Sequence, residues 1–413
     1  MQWPTRDSVE GLRPIYRNLS LDLVAAIGVG VSAALVSTLL PTIARRGGLE
    51  PLGLAVLAAT PFFTNLLSVF AGRIGPRSTR QFALLRVVGA GSLLVLLALS
   101  PALVIIAVAL VFWISISFGS PFQLRLWGAT YPARMRGRVV GFLGMGRAAA
   151  AALAALVGGV LADRLGGPPA VGLAGLVGAV CALAYVGFRA STAAAPLAYS
   201  ARESILAMRR RPSLGRVALA QGFFGGGFIA AGPLFALVNV DRLNLSLSEV
   251  GIIGVLSAVA TTVSFLIWGA IADRTDALAP MRFGSIIGLG GLVAYAVAPG
   301  VAVLWLAAVA IGTSNASIDI GVAGVISAET PLASRAAAMS GWNAITGARG
   351  LVAPFVMSAL VQVGLVSVMI ALLACAAASA LGVALFWWAA SRARYQMSPT
   401  VKPSGNGSVG SST

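Results

Sequence analysis

Twelve long apolar stretches, separated by short loops that carry arginine, confine this chain to the interior of a lipid bilayer. A helix needs about 20 apolar residues to cross roughly 30 Å of hydrocarbon. The stretches run over 20–42, 51–71, 82–99, 101–122, 139–162, 168–188, 216–239, 248–272, 283–299, 301–327, 337–363 and 365–389. They leave little chain for a water-exposed domain, so a soluble enzyme is excluded. A mean hydropathy of +0.92 with 10% charged residues fits an all-α, polytopic membrane protein. The 49 glycines then read as small residues that let helices pack closely rather than as loops.

The net charge of +17 is explained by where the charge sits. Counting loops from the N-terminus, the tails and even-numbered loops hold 21 of the Lys and Arg residues, and the odd-numbered loops hold four: Arg45, Arg46, Arg164 and Arg242. Orientation follows this bias, which places both termini in the cytoplasm and the protein in the cytoplasmic membrane. The excess positive charge then serves topology and contact with anionic lipid, not nucleic acid. No apolar core of a cleavable signal precedes the first span. The Ser-, Gly- and Pro-rich end, 392–413, reads as a disordered cytoplasmic tail. Cys181 and Cys375 lie inside predicted spans and read as small packing residues. Histidine is absent, so proton transfer would fall to carboxylates, and no metal site or cofactor is expected.

The chain repeats itself. Arg17 matches Arg216 and Asp22 matches Gln221 at an offset of 199; Pro132 and Arg136 match Pro331 and Arg335 at the same offset. Gly72-Arg73 matches Asp273-Arg274 at 201. The division expected is a six-helix bundle over 1–188, a cytoplasmic linker over 189–215 and a second six-helix bundle over 216–391.

The segment Gly269-Ala-Ile-Ala-Asp273-Arg274 resembles the G-x-x-x-D-R loop motif of the major facilitator superfamily, and the chain is similar to that family from Arg17 to Arg394. The equivalent between helices 2 and 3, Ser68-Val-Phe-Ala-Gly72-Arg73-Ile-Gly75-Pro-Arg77, lacks the acid. A third string, Gly159-Val-Leu-Ala-Asp163-Arg164-Leu-Gly166, falls on the opposite face and reads as coincidence. The resemblance implies two pseudo-symmetric six-helix bundles rocking around a midplane cavity. It also implies a secondary transporter for a small molecule, driven by an ion gradient, with the proton as the expected ion. It implies a conformational latch at Gly269, Asp273, Arg274 and Arg73. Here Gly269 would allow close helix approach, and Asp273 would bond a neighbouring helix end. The glycine- and proline-rich helix 5 signature of drug/proton antiporters is degenerate: Ala150, Ala154, Ala155, Gly158 and Gly159 are small, but the proline is missing. Drug or metabolite export is therefore one expectation. A monomer is expected, and a non-transporting receptor or scaffold is the alternative of another class.

Ionisable groups inside spans cost about 2.5–3.5 kcal/mol each near a helix centre, so each calls for a role. Asp319 shares a helix face with Asn315 and sits ~15 Å from the cytoplasmic end of helix 10. It is the leading candidate for a proton-coupling carboxylate. Arg349 and Arg147 lie too deep to snorkel. Both could grip an anionic substrate, which makes an organic-anion transporter the second expectation; alternatively Arg349 pairs with Asp319. Asp22 opens helix 1 as a proton site or an N-cap, and Gln221 opens helix 7. Asn65, Gln123 and Asn343 could line a path or bond between helices. Arg86 and Arg125 read as snorkelling residues. Trp113 and Trp342 read as packing residues or interfacial anchors. Pro61, Pro121, Pro233 and Pro354, with Gly225-Gly-Gly227, mark places where helices can bend.

Overall fold

A computed structural model describes residues 6–67, 75–189, 211–331 and 334–397, with Glu203, Ser204, Leu206 and Met208 of the linker. Among these residues the chain is all helical. Helix α1 runs Arg6–Ala34, passes through a π-helical turn at Leu35–Leu39 and ends as Leu40–Arg46. It is followed by α2 (Pro51–Leu67), α3 (Thr79–Gly91), α4 (Ala102–Thr130), α5 (Ala133–Leu165) and α6 (Gly167–Ala182). The second six are α7 (Pro212–Leu237, then a π-helical turn at Val238–Arg242), α8 (Leu247–Arg274), α9 (Ala279–Val297), α10 (Val301–Glu329), α11 (Arg335–Gln362) and α12 (Val368–Met397). Eleven of these are long and apolar enough to span a bilayer, while α2 is shorter over its described residues. The last four residues of the expected second stretch, 68–71, lie outside the described residues.

The helices reach beyond their apolar stretches because polar first turns continue them. Asp22 and Gln221 are therefore interior to α1 and α7, not at their starts, and the N-cap reading of Asp22 does not hold. All four span prolines fall inside helices α2, α4, α7 and α11. Between α5 and α6 the turn is a single residue, Gly166, at φ 95°. Only glycine takes that left-handed conformation without strain. Helix α8 begins with a capping box: Ser246 accepts from the Glu249 N–H while the Glu249 carboxylate accepts from the Ser246 N–H.

Helices α5 and α8 cross between the two halves on small residues. A Cβ added at Gly251 would lie 2.4 Å from the Ala155 carbonyl oxygen, and one at Gly159 would lie 2.6 Å from that of Leu247. The small residues of α5 thus hold the seam between halves. On the other side α2 packs against α11, where a Cβ at Gly350 would collide with the ring of Phe62.

Among the described residues the buried core is continuous at one end and divided at the other. At the end carrying the odd-numbered loops, one cluster joins Leu39, Leu40 and Leu57 of the first half to Leu234, Leu237 and Val250 of the second. Toward the even-loop end the buried clusters each belong to one half. Leu214, Met281, Trp342 and Phe386 form one. Phe82, Leu126 and Tyr185 form a second, and Tyr131, Val139 and Leu143 a third.

Candidate functional site

A cavity of about 530 Å³ lies between the halves, above it the fused core of the odd-loop end. Helices α1, α2, α4, α7, α8, α9 and α10 all contribute to it. Both π-helical turns border it: Val36, Ser37 and Thr38 come from the first and Asn239 from the second. Each turn closes an i to i+5 bond, Leu40 N–H to the Leu35 carbonyl and Leu243 N–H to that of Val238. A π turn inserts one residue into a helix and turns its neighbours, and such turns recur at functional sites. Rings enter from both halves: Phe62 and Trp113 from the first, Phe228, Phe235 and Tyr295 from the second. The Tyr295 hydroxyl donates to Asn239 Oδ1 at 2.6 Å. Among the described residues no charged side chain lines the cavity.

Polar ties between described residues of the two halves gather at the odd-loop end. Arg45 donates from Nε to both carboxylate oxygens of Asp241 at 3.0 Å, and its Nη2 lies 2.8 Å from Oδ2. Arg46 donates to the Leu245 carbonyl. Leu52 N–H donates to Gln362 Oε1, whose amide donates in turn to Glu50. Asp163, at the end of α5, accepts from the backbone N–H groups of Leu247 and Ser248 at 2.9 and 2.8 Å and from the Ser248 hydroxyl. It thereby caps α8 from the opposite half. The string that reads as a chance A-D-R is a tie between the two bundles, because the first backbone N–H groups of α8 have no partner within their own helix.

Asn315 and Asp319 are exposed on one face of α10, Asp319 a turn nearer the even-loop end, and Arg147 is exposed on α5. Asn315 belongs to the cavity wall, and the charge of Arg147 reaches Asp319 across the halves. Asp319 accepts no hydrogen bond from a described residue. Arg349 is not its partner. The guanidinium instead donates to the Gln221 backbone carbonyl and to the Thr346 hydroxyl at 3.5 Å, which ties α11 to α7. The expected pair fails because Arg349 sits on the face of α11 that packs on α7. The two deep arginines are not equivalent either: Arg147 is exposed and Arg349 half-buried.

Asp22 does not face the cavity. It is fully buried inside the first half and accepts from Trp127 Nε1 at 2.6 Å, Tyr185 Oη at 2.8 Å and Tyr131 Oη at 3.2 Å. Gln123 extends this network, donating to the Tyr185 oxygen and accepting from Arg86. Arg86 does not snorkel: it is 5% exposed and lies over the Phe82 ring at 5.1 Å. The buried cation and the buried carboxylate are thus linked through Gln123 and Tyr185, which offsets the cost of burying either. Asn65 accepts from Ser117 between α2 and α4, and Asn343 is exposed on α11. Gln221 is buried, and its side-chain Oε1 has no partner among described residues.

At the resemblance's latch, Gly269 does not mediate a close approach, since a Cβ there would meet nothing within 4 Å. Asp273 and Arg274 are exposed, and Asp273 makes no hydrogen bond or ion pair with a described residue. Arg73 lies outside the described residues. Trp342 is packed in the core of the second half, while Trp113 belongs to the cavity wall. The ring lining and the π turns carry no sequence signal, because aromatic residues are ordinary in apolar spans and a π turn is set by packing.

The sequence profile described as Major Facilitator Superfamily matches residues 23–301, about two thirds of the chain. No curated protein matches in sequence. Among solved structures, a mutant form of the nucleoside transporter NupG superposes with a TM-score of 0.73 at 13% identity, covering 90% of this chain and 99% of the other. A bacterial homologue of the human lysosomal transporter Spinster, in an inward-facing and occupied conformation, gives 0.70 at 14% identity, covering 91% and 96%. The POT-family transporter PepTSo gives 0.72 at 12% identity, covering 97% and 100%.

Proposed function

The chain belongs to the Major Facilitator Superfamily and is a membrane transporter rather than an enzyme, and from that premise we propose that it works by proton-coupled alternating access between its two six-helix halves. The observation that carries this reading is the core that is fused across the halves at the odd-loop end and divided at the even-loop end. A cleft closed at one end and parted at the other is one of the two states that alternating access requires. With the arginine-rich even loops in the cytoplasm, this state faces inward. Asp319 is the coupling carboxylate of the proposal: it is exposed, unbonded by described residues, one turn from the cavity residue Asn315, and it interacts electrostatically with Arg147 of the other half. Asp273 then belongs to the other state, in which the even-loop ends meet.

The mechanism is tested without knowing the substrate. In a background with Cys181 and Cys375 replaced by alanine, one pair of spin labels is placed at Phe142 and Leu266 and another at Leu165 and Leu365, all exposed. Alternating access predicts two distance populations at each pair, with the first shortening as the second lengthens when pH changes. A single, invariant distance at both pairs across pH would overturn the proposal.

A further inference from the structure

The cavity between the π turns has a chemistry more specific than its family. It is lined by rings from both halves, Phe62 and Trp113 from the first and Phe228, Phe235 and Tyr295 from the second, so a ligand held there has aromatic side chains within reach on either side. Its polar groups are hydroxyls and amides. Three of them, Thr38 of the first π turn, Ser257 of α8 and Asn315 of α10, donate no side-chain hydrogen bond to a described residue and so are free to meet a ligand. Of the charges on the described residues, Asp319 stands one turn from the cavity residue Asn315 and interacts with Arg147, which has the opposite sign.

An ion entering such a site loses its hydration shell and meets no countercharge on the wall itself, which makes burial there unfavourable unless the ion neutralises. A flat apolar body gains contact on both faces, and ring pairs contribute beyond the area they bury. An amide has both donor and acceptor, and it rejects a ligand edge that leaves either unpaired. A volume of about 530 Å³ lies within the range of pockets that enclose drug-sized molecules.

We propose that this cavity is a site for an uncharged, planar aromatic solute bearing an amide-like donor–acceptor edge, with Asn315 reading that edge and Trp113 and Phe228 holding the ring. The proposal rests on the transport reading of the same cavity and narrows it to a substrate class. It also disfavours the organic-anion expectation: Arg349 is engaged with the α7 backbone, and Arg147 is not among the residues that line the cavity.

The test uses three probes built on one ring system: 2-naphthamide, 2-naphthoate and (2-naphthylmethyl)trimethylammonium. Each is titrated against the full-length protein in detergent, with thermal unfolding as the readout. The neutral amide is expected to raise Tm at concentrations at least tenfold below either charged probe. Asn315→Ala should raise its half-saturating concentration about tenfold, and Trp113→Ala should do likewise. In Asn315→Gln, which keeps the amide chemistry, part of the loss should be recovered. Preference for the carboxylate or the ammonium probe, stabilisation by none of the three, or an Asn315→Ala variant that binds the amide unchanged would each overturn the assignment. The spin-label distances report alternating access without ligand, so two moving populations alongside a failed probe series would sink the substrate class and leave the transport reading standing.

Discussion

Removing the Asp163 carboxylate should loosen the odd-loop end and shift the protein toward the opposite state. In the structure Asp163 caps the first turn of α8 with three accepted bonds, two of them from backbone N–H groups. Losing an N-terminal cap costs about 1 kcal/mol, and the loss of a carboxylate from a helix N-terminus adds about 0.3–1 kcal/mol. Asp163 is exposed, so solvent and salt reduce the second contribution. A net of about 1.4 kcal/mol is a reasonable expectation, which is tenfold in an equilibrium constant. All of it acts on one state, because the bond joins α5 of one half to α8 of the other and exists only while those ends meet. Asp163→Ala should therefore increase the ratio of the odd-loop-open to the odd-loop-closed form about tenfold. Asp163→Asn, which keeps one good acceptor, should give a smaller shift. The Leu165/Leu365 label pair reads the ratio directly. Ser246→Ala supplies the control: it removes the cap that α8 makes within its own half, and so should lower Tm without moving the ratio. A ratio unchanged within twofold in Asp163→Ala, or an equal shift in Ser246→Ala, would refute the reasoning.

Three further outcomes are expected. Asp319→Asn should abolish gradient-driven accumulation in proteoliposomes while sparing downhill exchange, and full accumulation would reassign Asp319 to structure. Arg349→Met and Asp319→Asn should be additive within about 0.5 kcal/mol in a thermal-unfolding double-mutant cycle, since Arg349 bonds α7 and not Asp319; a larger coupling would restore the ion pair. Asp22→Ala should lower stability by roughly 3 kcal/mol or more, because it leaves the Trp127, Tyr131 and Tyr185 donors and the buried Arg86 without their carboxylate, and a variant as stable as the parent would contradict this network.

Several misplaced side chains show where reading the sequence stops. Arg86 is near enough to a helix end to reach water, yet its guanidinium turns inward onto Phe82 and toward Gln123. Asp163 and Asp273 stand in similar A-D-R strings, but the structure binds the one that looks accidental and gives the one that matches the family motif no partner among the described residues. Asp319 and Arg349 are alike in depth and fail to meet because they occupy different helix faces. In each case the residue type and its depth were legible, and the neighbour was not.

Sequence alone determined that this is a twelve-helix membrane protein with a superfamily likeness. Those properties are local: hydrophobic length, loop charge and motif spacing are set by the cost of placing each segment in hydrocarbon or water. Only the tertiary structure decided which end of the bundle is closed among the described residues, that two π turns border the cavity, and that the described residues of its wall carry rings, hydroxyls and amides but no charge. Those depend on the direction a side chain takes around its helix and on which helix faces it. Both are fixed by packing between segments far apart in the chain, as Asp163 with Leu247, 84 residues away, and Asp22 with Tyr185, 163 residues away.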